Sequence, residues 1–122
     1  LIKAEPQQIA AAATRIAGHA HRTPVLRSRA LDALAGCELH FKAEHLQRGG
    51  AFKFRGACNA VMALDDNALA RGLVTQSSGN HGAALALAAS LRGARATIVA
   101  PSNTPAVKLA AMRAYGGEVQ LC

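Results

Sequence analysis

Apolar positions recur along this chain first at helical spacing, then in short alternation, then in a repeated strand–helix order. Ile9, Ala12, Ala13 and Ile16 share one face of a helix that Pro6 opens and that ends near Gly18. Thr23-Pro24-Val25-Leu26 is a short extended piece, because a residue before proline avoids the helical region. Ser28 caps a brief helix through Leu34, which Gly36 closes. Leu39, Phe41 and Ala43 alternate with polar neighbours, so Glu38 to Glu44 reads as a half-buried strand.

A loop then tightens through Gly49-Gly50 and a helix starts around Phe54. Phe54, Ala57, Val61 and Leu64 lie on one face of that helix, which ends near Asp65-Asp66-Asn67. Asn67 to Arg71 adds one more turn before Gly72. From Leu73 the order is regular. A strand (Leu73 to Ser77) precedes a helix (Asn80 to Leu91) ended by Gly93, and Thr97 to Ala100 is a second strand. Thr104 as N-cap, with Pro105 at the first helical position, starts a helix that runs to Gly116-Gly117; Val119 to Cys122 is a third strand. Such βα units predict an α/β fold with parallel strands and right-handed crossovers.

The chemistry concentrates in two junctions. Lys53 sits between Phe52 and Phe54 where the loop meets its helix. Flanking aromatics predict partial desolvation, which lowers a lysine pKa and frees an amine to form a Schiff base with an aldehyde. The plainer alternative is a solvated loop lysine. The second junction, Thr75-Gln76-Ser77-Ser78-Gly79-Asn80-His81-Gly82, puts hydrogen-bonding residues at a helix start, where unpaired N–H groups attract anions. Its plain readings are an N-cap for Asn80, a tight turn for Ser78 and a surface histidine for His81.

Together the junctions resemble fold-type II pyridoxal-phosphate (PLP) enzymes, in the branch of serine racemase and the threonine, serine and hydroxyaspartate dehydratases. The lysine motif of that family appears as Ala51-Phe52-Lys53-Phe54-Arg55-Gly56-Ala57, with Ala51 where serine is usual. Its asparagine loop appears as Ser77 to Gly82. The resemblance extends from His21-Arg22-Thr23-Pro24-Val25-Leu26 to Ala114-Tyr115-Gly116-Gly117. It implies a three-layer αβα parallel-sheet fold, present here as an incomplete N-terminal part. Residues 1–68 would belong to the large PLP-binding domain and residues 69–122 to the first βαβαβ part of the small domain.

By the same resemblance Lys53 carries the cofactor, Phe52 packs near its ring and Asn80 hydrogen-bonds its phenolic oxygen. Ser77, Ser78, Gly79, Asn80 and His81 bind the substrate, an amino acid. Ser78 adds a second catalytic group facing Lys53 across the cofactor, as interconversion of enantiomers at Cα requires. The implied reaction is dehydration and deamination of serine, threonine or 3-hydroxyaspartate, with serine racemisation beside it, in a homodimer. β-Replacement of the cysteine-synthase type is the alternative within enzymes; a catalytically silent fragment or ligand-binding relative is the alternative outside them. Relatives are more than twice as long, and their phosphate loop, pyridine-nitrogen partner and cation site lie downstream. The chain therefore reads as a piece that alone binds PLP weakly.

Composition changes this picture little. The 122 residues are 51% hydrophobic and carry a net charge of +7. The basic residues are dispersed and aromatics are 3%, a pattern unlike a nucleic-acid surface and suited to an anionic cofactor and a carboxylate substrate. No apolar run reaches bilayer length, so no membrane partner is expected. Cys37, Cys58 and Cys122 lack CxxC spacing and read as reduced thiols of a cytoplasmic protein; His19 and His21 lack a third ligand, so no metal site is expected.

Overall fold

The computed structural model describes residues 5–122. Helix α1 (Pro6–Arg15) begins where the Glu5 N–H donates to Gln8 Oε1 at 3.0 Å. Its Ile9 is exposed, while Ile16, just beyond the helix, packs on the core. Strand β1 (Val25–Leu26) pairs antiparallel with β2 (Phe41–Lys42), in register Val25 to Lys42 and Leu26 to Phe41. Between them lies α2 (Arg29–Ala35), with Ser28 accepting from the Leu31 N–H and Gly36 in the left-handed conformation that closes it.

The strand expected over Glu38 to Glu44 is thus only two residues long. β1 offers no longer partner, and Glu44 already turns into a 3-10 helix (Glu44–Leu46). Alternation gave the direction of the segment without the backbone partners that lengthen a strand.

Helix α3 (Lys53–Met62) buries Phe54, Ala57, Cys58 and Val61. It ends earlier than expected, so Leu64 packs on the core from the connection to α4 (Asp66–Ala70). Asp65 caps α4 by accepting from the Ala68 N–H at 2.7 Å. Then come β3 (Leu73–Gln76), α5 (Asn80–Ser90), β4 (Ala96–Ala100), α6 (Ala106–Ala114) and β5 (Glu118–Leu121). The three strands form a parallel sheet in the order β3-β4-β5, as the repeated pattern predicts.

Thr104 does not cap α6. Pro105 holds the cap position, and the Thr104 hydroxyl is buried without a hydrogen-bond partner among the described residues. Proline fixes the turn one residue later than the capping rule alone suggests.

Two clusters share α5. On one side, Ala84 and Ala88 meet Phe54, Ala57, Cys58 and Val61 of α3. On the other, Ala83, Ala86 and Ala89 meet Ile98 of β4 and Met112 of α6. A Cβ on Gly82 would stand 2.9 Å from Ile98 Cγ2 and 3.0 Å from Met112 Cε, and one on Gly117 2.5 Å from Ile98 Cδ1 and 3.0 Å from Ala86 Cβ. One isoleucine therefore touches both helices, which places α5 and α6 on the same face of the sheet. These residues supply two layers of the three that the resemblance implies, and α5 joins the lysine helix to the sheet.

Candidate active site

The lysine loop is held from behind by a polar clamp. Arg55, two residues after Lys53, donates from Nε to Glu44 Oε2 at 2.9 Å and from Nη2 to Glu44 Oε1 at 2.7 Å. Thr23 Oγ1 donates to Glu44 Oε1 at 2.5 Å, and Arg55 Nη2 also reaches the His21 carbonyl at 3.0 Å. The paired guanidinium holds the Glu44 carboxyl at about 2, against its ordinary 4.5, with the Thr23 hydroxyl adding to the effect and burial opposing it. Arg55 is correspondingly raised by Glu44.

Gln47, buried, completes the clamp. Its Oε1 accepts from the His21 and Arg48 N–H groups at 2.8 and 3.0 Å, and its Nε2 donates to the His21 carbonyl at 2.8 Å. Residues 19–23 and 44–55 are thereby fastened together although far apart in sequence. Sequence reasoning missed this clamp. Its one visible trace was Arg55 inside the quoted lysine motif; no local pattern announces that Glu44 and Thr23 meet it.

Lys53 opens α3 on the outer side of this frame. Helical geometry sends its two aromatic neighbours apart: Phe54 is fully buried in the core, while Phe52 is 59% exposed. Of the two, Phe54 packs the core and Phe52 stays at the surface. Lys53 itself is exposed, its Nζ 5.0 Å from the centroid of the Phe52 ring, so the desolvation expected of it is not met within these residues. Of the described lysines, Lys42 donates to the Thr23 carbonyl at 2.6 Å and Lys108 to Asn80 Oδ1 at 2.8 Å. Lys53 Nζ has no hydrogen bond to the described residues.

Phe52 and Lys53 line a cleft of about 350 Å3 together with Arg55, Gly56, Ala57 and His81. The structure thus brings Phe52, Lys53 and His81 together. The rest of the asparagine loop stands at the head of α5. Ser77 Oγ accepts from the Gly79 and Gly82 N–H groups at 3.1 and 3.0 Å, which makes it the cap of α5. Asn80 is the first helical residue and follows Gly79 at the cap position, so the cap role considered for it belongs to Ser77. Ser78, beside it, is exposed, and its hydroxyl makes no hydrogen bond to the described residues.

The arrangement suits an anionic, aldehyde-bearing aromatic group. It offers an unengaged amine beside an exposed aromatic ring, a helix N-terminus without acidic residues, and the carboxamide of Asn80. No three His, Cys, Asp or Glu side chains gather as metal ligands among the described residues, and no helix there is long and apolar enough to cross a membrane. Burial pushes the Cys58 thiol up.

The family described as pyridoxal-phosphate dependent enzyme matches residues 16–122. Over 116 residues the chain is 52% identical to a serine racemase of Oryza sativa subsp. indica, covering 95% of this chain and 34% of that protein. It is 52% identical over 108 residues to an L-threo-3-hydroxyaspartate ammonia-lyase of Pseudomonas sp, covering 88% and 34%. The solved structure of maize serine racemase superposes with a TM-score of 0.95 at 50% identity, covering 98% of this chain and 36% of that one. The chain spans about a third of the length of these relatives. With its lysine helix, asparagine loop and parallel sheet, this chain belongs to the pyridoxal-phosphate dependent enzymes of fold-type II.

Proposed function

We propose that this chain carries the lysine and asparagine loops of a dehydratase (ammonia-lyase) of small β-hydroxy amino acids, with serine racemase activity at the same centre. Lys53 would hold the cofactor covalently, with Phe52 beside its ring and Asn80 donating to its phenolic oxygen. The observation that carries this is the state of the described lysines: Lys42 and Lys108 are tied to acceptors, whereas Lys53, on a cleft, makes no hydrogen bond to the described residues. The identity to a serine racemase and to a hydroxyaspartate ammonia-lyase supports the substrate class.

Bound PLP supplies the electron sink that stabilises negative charge at the substrate Cα. The chain's own residues bind, orient and move protons. The N-terminus of α5, capped by Ser77, offers the N–H groups of Asn80 and His81 to the substrate carboxylate, with the Gly79 backbone fixing the turn. With substrate bound, the Lys53 amine would hold and move the Cα proton on one face. The Ser78 hydroxyl, on the opposite face in this reading, donates or accepts a proton there. Loss of the β-hydroxyl together with a proton, as water, would leave an enamine whose hydrolysis gives the 2-oxo acid and ammonia; protonation of Cα from the second face would give the other enantiomer. A homodimer is the assembly proposed for the complete protein.

Borohydride treatment of the full-length protein with PLP, followed by peptide mapping, tests the assignment. The cofactor mass should be found on Lys53. An adduct on Lys42 or Lys108 overturns it, and pyruvate or 2-oxobutyrate release from serine or threonine checks the reaction.

A further inference from the structure

Lys108 occupies the first turn of α6, where a cation is disfavoured by the positive end of the helix. No acidic residue accompanies it in that turn or in the first turn of α5, which it reaches across to touch. Its Nζ donates to Asn80 Oδ1 at 2.8 Å. A lysine has only donors, so the carboxamide oxygen must face it and the amide NH2 must face away. The N-terminus of α5 and the Lys108 ammonium thus meet at Asn80, with no acidic residue in the first turn of either helix. An arrangement that costs local stability and presents only donors is one that an anionic oxygen would complete.

We propose that Lys108 is a positioning residue: it locks the Asn80 carboxamide with its NH2 toward the site and places a positive charge one hydrogen bond behind that donor. The anionic oxygen it serves is the phenolic oxygen of the cofactor, an identification that rests on the function proposed above. Without Lys108 the carboxamide can rotate and present its oxygen instead, so the site loses both a donor and the charge behind it.

The test uses the full-length protein with PLP and two readouts apart from turnover: the cofactor dissociation constant, and the pH midpoint of the visible absorption band of bound cofactor. Lys108→Met should weaken binding about tenfold, the size of one charge-assisted hydrogen bond, and shift the midpoint. Lys108→Arg, which keeps a charged donor, should restore both. Asn80→Ala should give the same shift, and the double variant Lys108→Met/Asn80→Ala should be no worse than Asn80→Ala alone, since one residue acts through the other. If the methionine variant does not fold, Lys108→Gln should show the same shift at smaller size. Unchanged binding and band in Lys108→Met or Lys108→Gln overturns the inference, as does an effect that adds to that of Asn80→Ala. Wild-type protein that takes up no PLP sinks the functional reading itself, and this inference with it; uptake with an indifferent Lys108 sinks this inference alone.

Discussion

Arg55 grips Glu44 through two bonds of 2.9 and 2.7 Å, one to each carboxylate oxygen, and through that grip the lysine-bearing helix is anchored to the segment that precedes its own loop. Fork-to-carboxylate pairing fixes orientation as well as distance, which a single contact does not. Lys53 lies two residues away on the same helix turn, so an error in Arg55 becomes an error in the amine.

Arg55→Met in the full-length protein should therefore lower stability by about 2 kcal/mol, the scale of a lost charge-assisted pair that leaves its carboxylate with the Thr23 hydroxyl alone. Arg55→Lys should recover less than half, because an ammonium cannot span both oxygens. Urea midpoints at neutral pH check both, and an Arg55→Met midpoint equal to wild type would remove the clamp from the account.

Acid should expose the same pair. Glu44 titrates at about 2 in the fold, against the ordinary 4.5 of the unfolded chain. Its folded value is the lower, so its contribution is complete above about 4.5 and is lost as pH falls toward 2. Asp32 is also held low, by the Leu39 N–H first and by Arg27, so it too favours the fold as its carboxylate. The difference between wild type and Glu44→Gln isolates Glu44: their stability gap should be widest above pH 4.5 and close as pH drops. A gap independent of pH argues against the pairing.

Ser78→Ala should abolish interconversion of L- and D-serine while sparing elimination from the enantiomer whose Cα proton faces Lys53. Loss of a general acid–base group costs on the order of 10²–10⁴-fold. Deuterium exchange at Cα, followed for each enantiomer separately, is the measurement. Exchange of both at wild-type rates would reduce Ser78 to a turn residue.

Gly82→Ala should disturb the site from within the core. The new methyl would stand 2.9 Å from Ile98, 3.0 Å from Met112 and 3.2 Å from Ser77 Cβ. Overpacking of this kind costs about 1–3 kcal/mol; Met112 Cε ends a flexible side chain, whereas Ser77 is tied to the Val99 carbonyl at 2.9 Å, so part of the strain falls on the Ser77 loop. Thermal melts should show the loss, and substrate KM should rise with it. A melting temperature within a degree of wild type would mean that the core absorbs the methyl freely.

Much of the fold was legible because it rests on local rules. Ser28 and Gly36 bracket α2 as capping chemistry dictates, and the β3-α5-β4-α6-β5 order follows from apolar runs separated by glycines. The two loops were legible as motifs, whereas the cleft that Phe52, Lys53 and His81 share emerges only where α3 packs against α5. What escaped depends on pairing in space. The length of β2 is set by β1, the exposure of Lys53 by which neighbour turns inward, and the tasks of Glu44, Gln47 and Lys108 by partners that lie 11, 26 and 28 positions away. The exchange of capping roles between Ser77 and Asn80 is subtler: both residue types suit a cap, and only the backbone turn at Gly79 decides between them.

Helix α5 meets the lysine helix through Ala84 and Ala88 and the sheet through Ala83, Ala86 and Ala89. Alanine has no rotamer to adjust, so the separation of the two layers is a fixed gauge. Lys53 rides on α3 and His81 on α5, and the width of the cleft that both line is inherited from that gauge. Substrate preference can then drift by changes in the loops while the reach of the amine stays constant. An enlarged residue at Ala84 or Ala88 would act as a wedge, opening the cleft from a distance without touching any group that reacts.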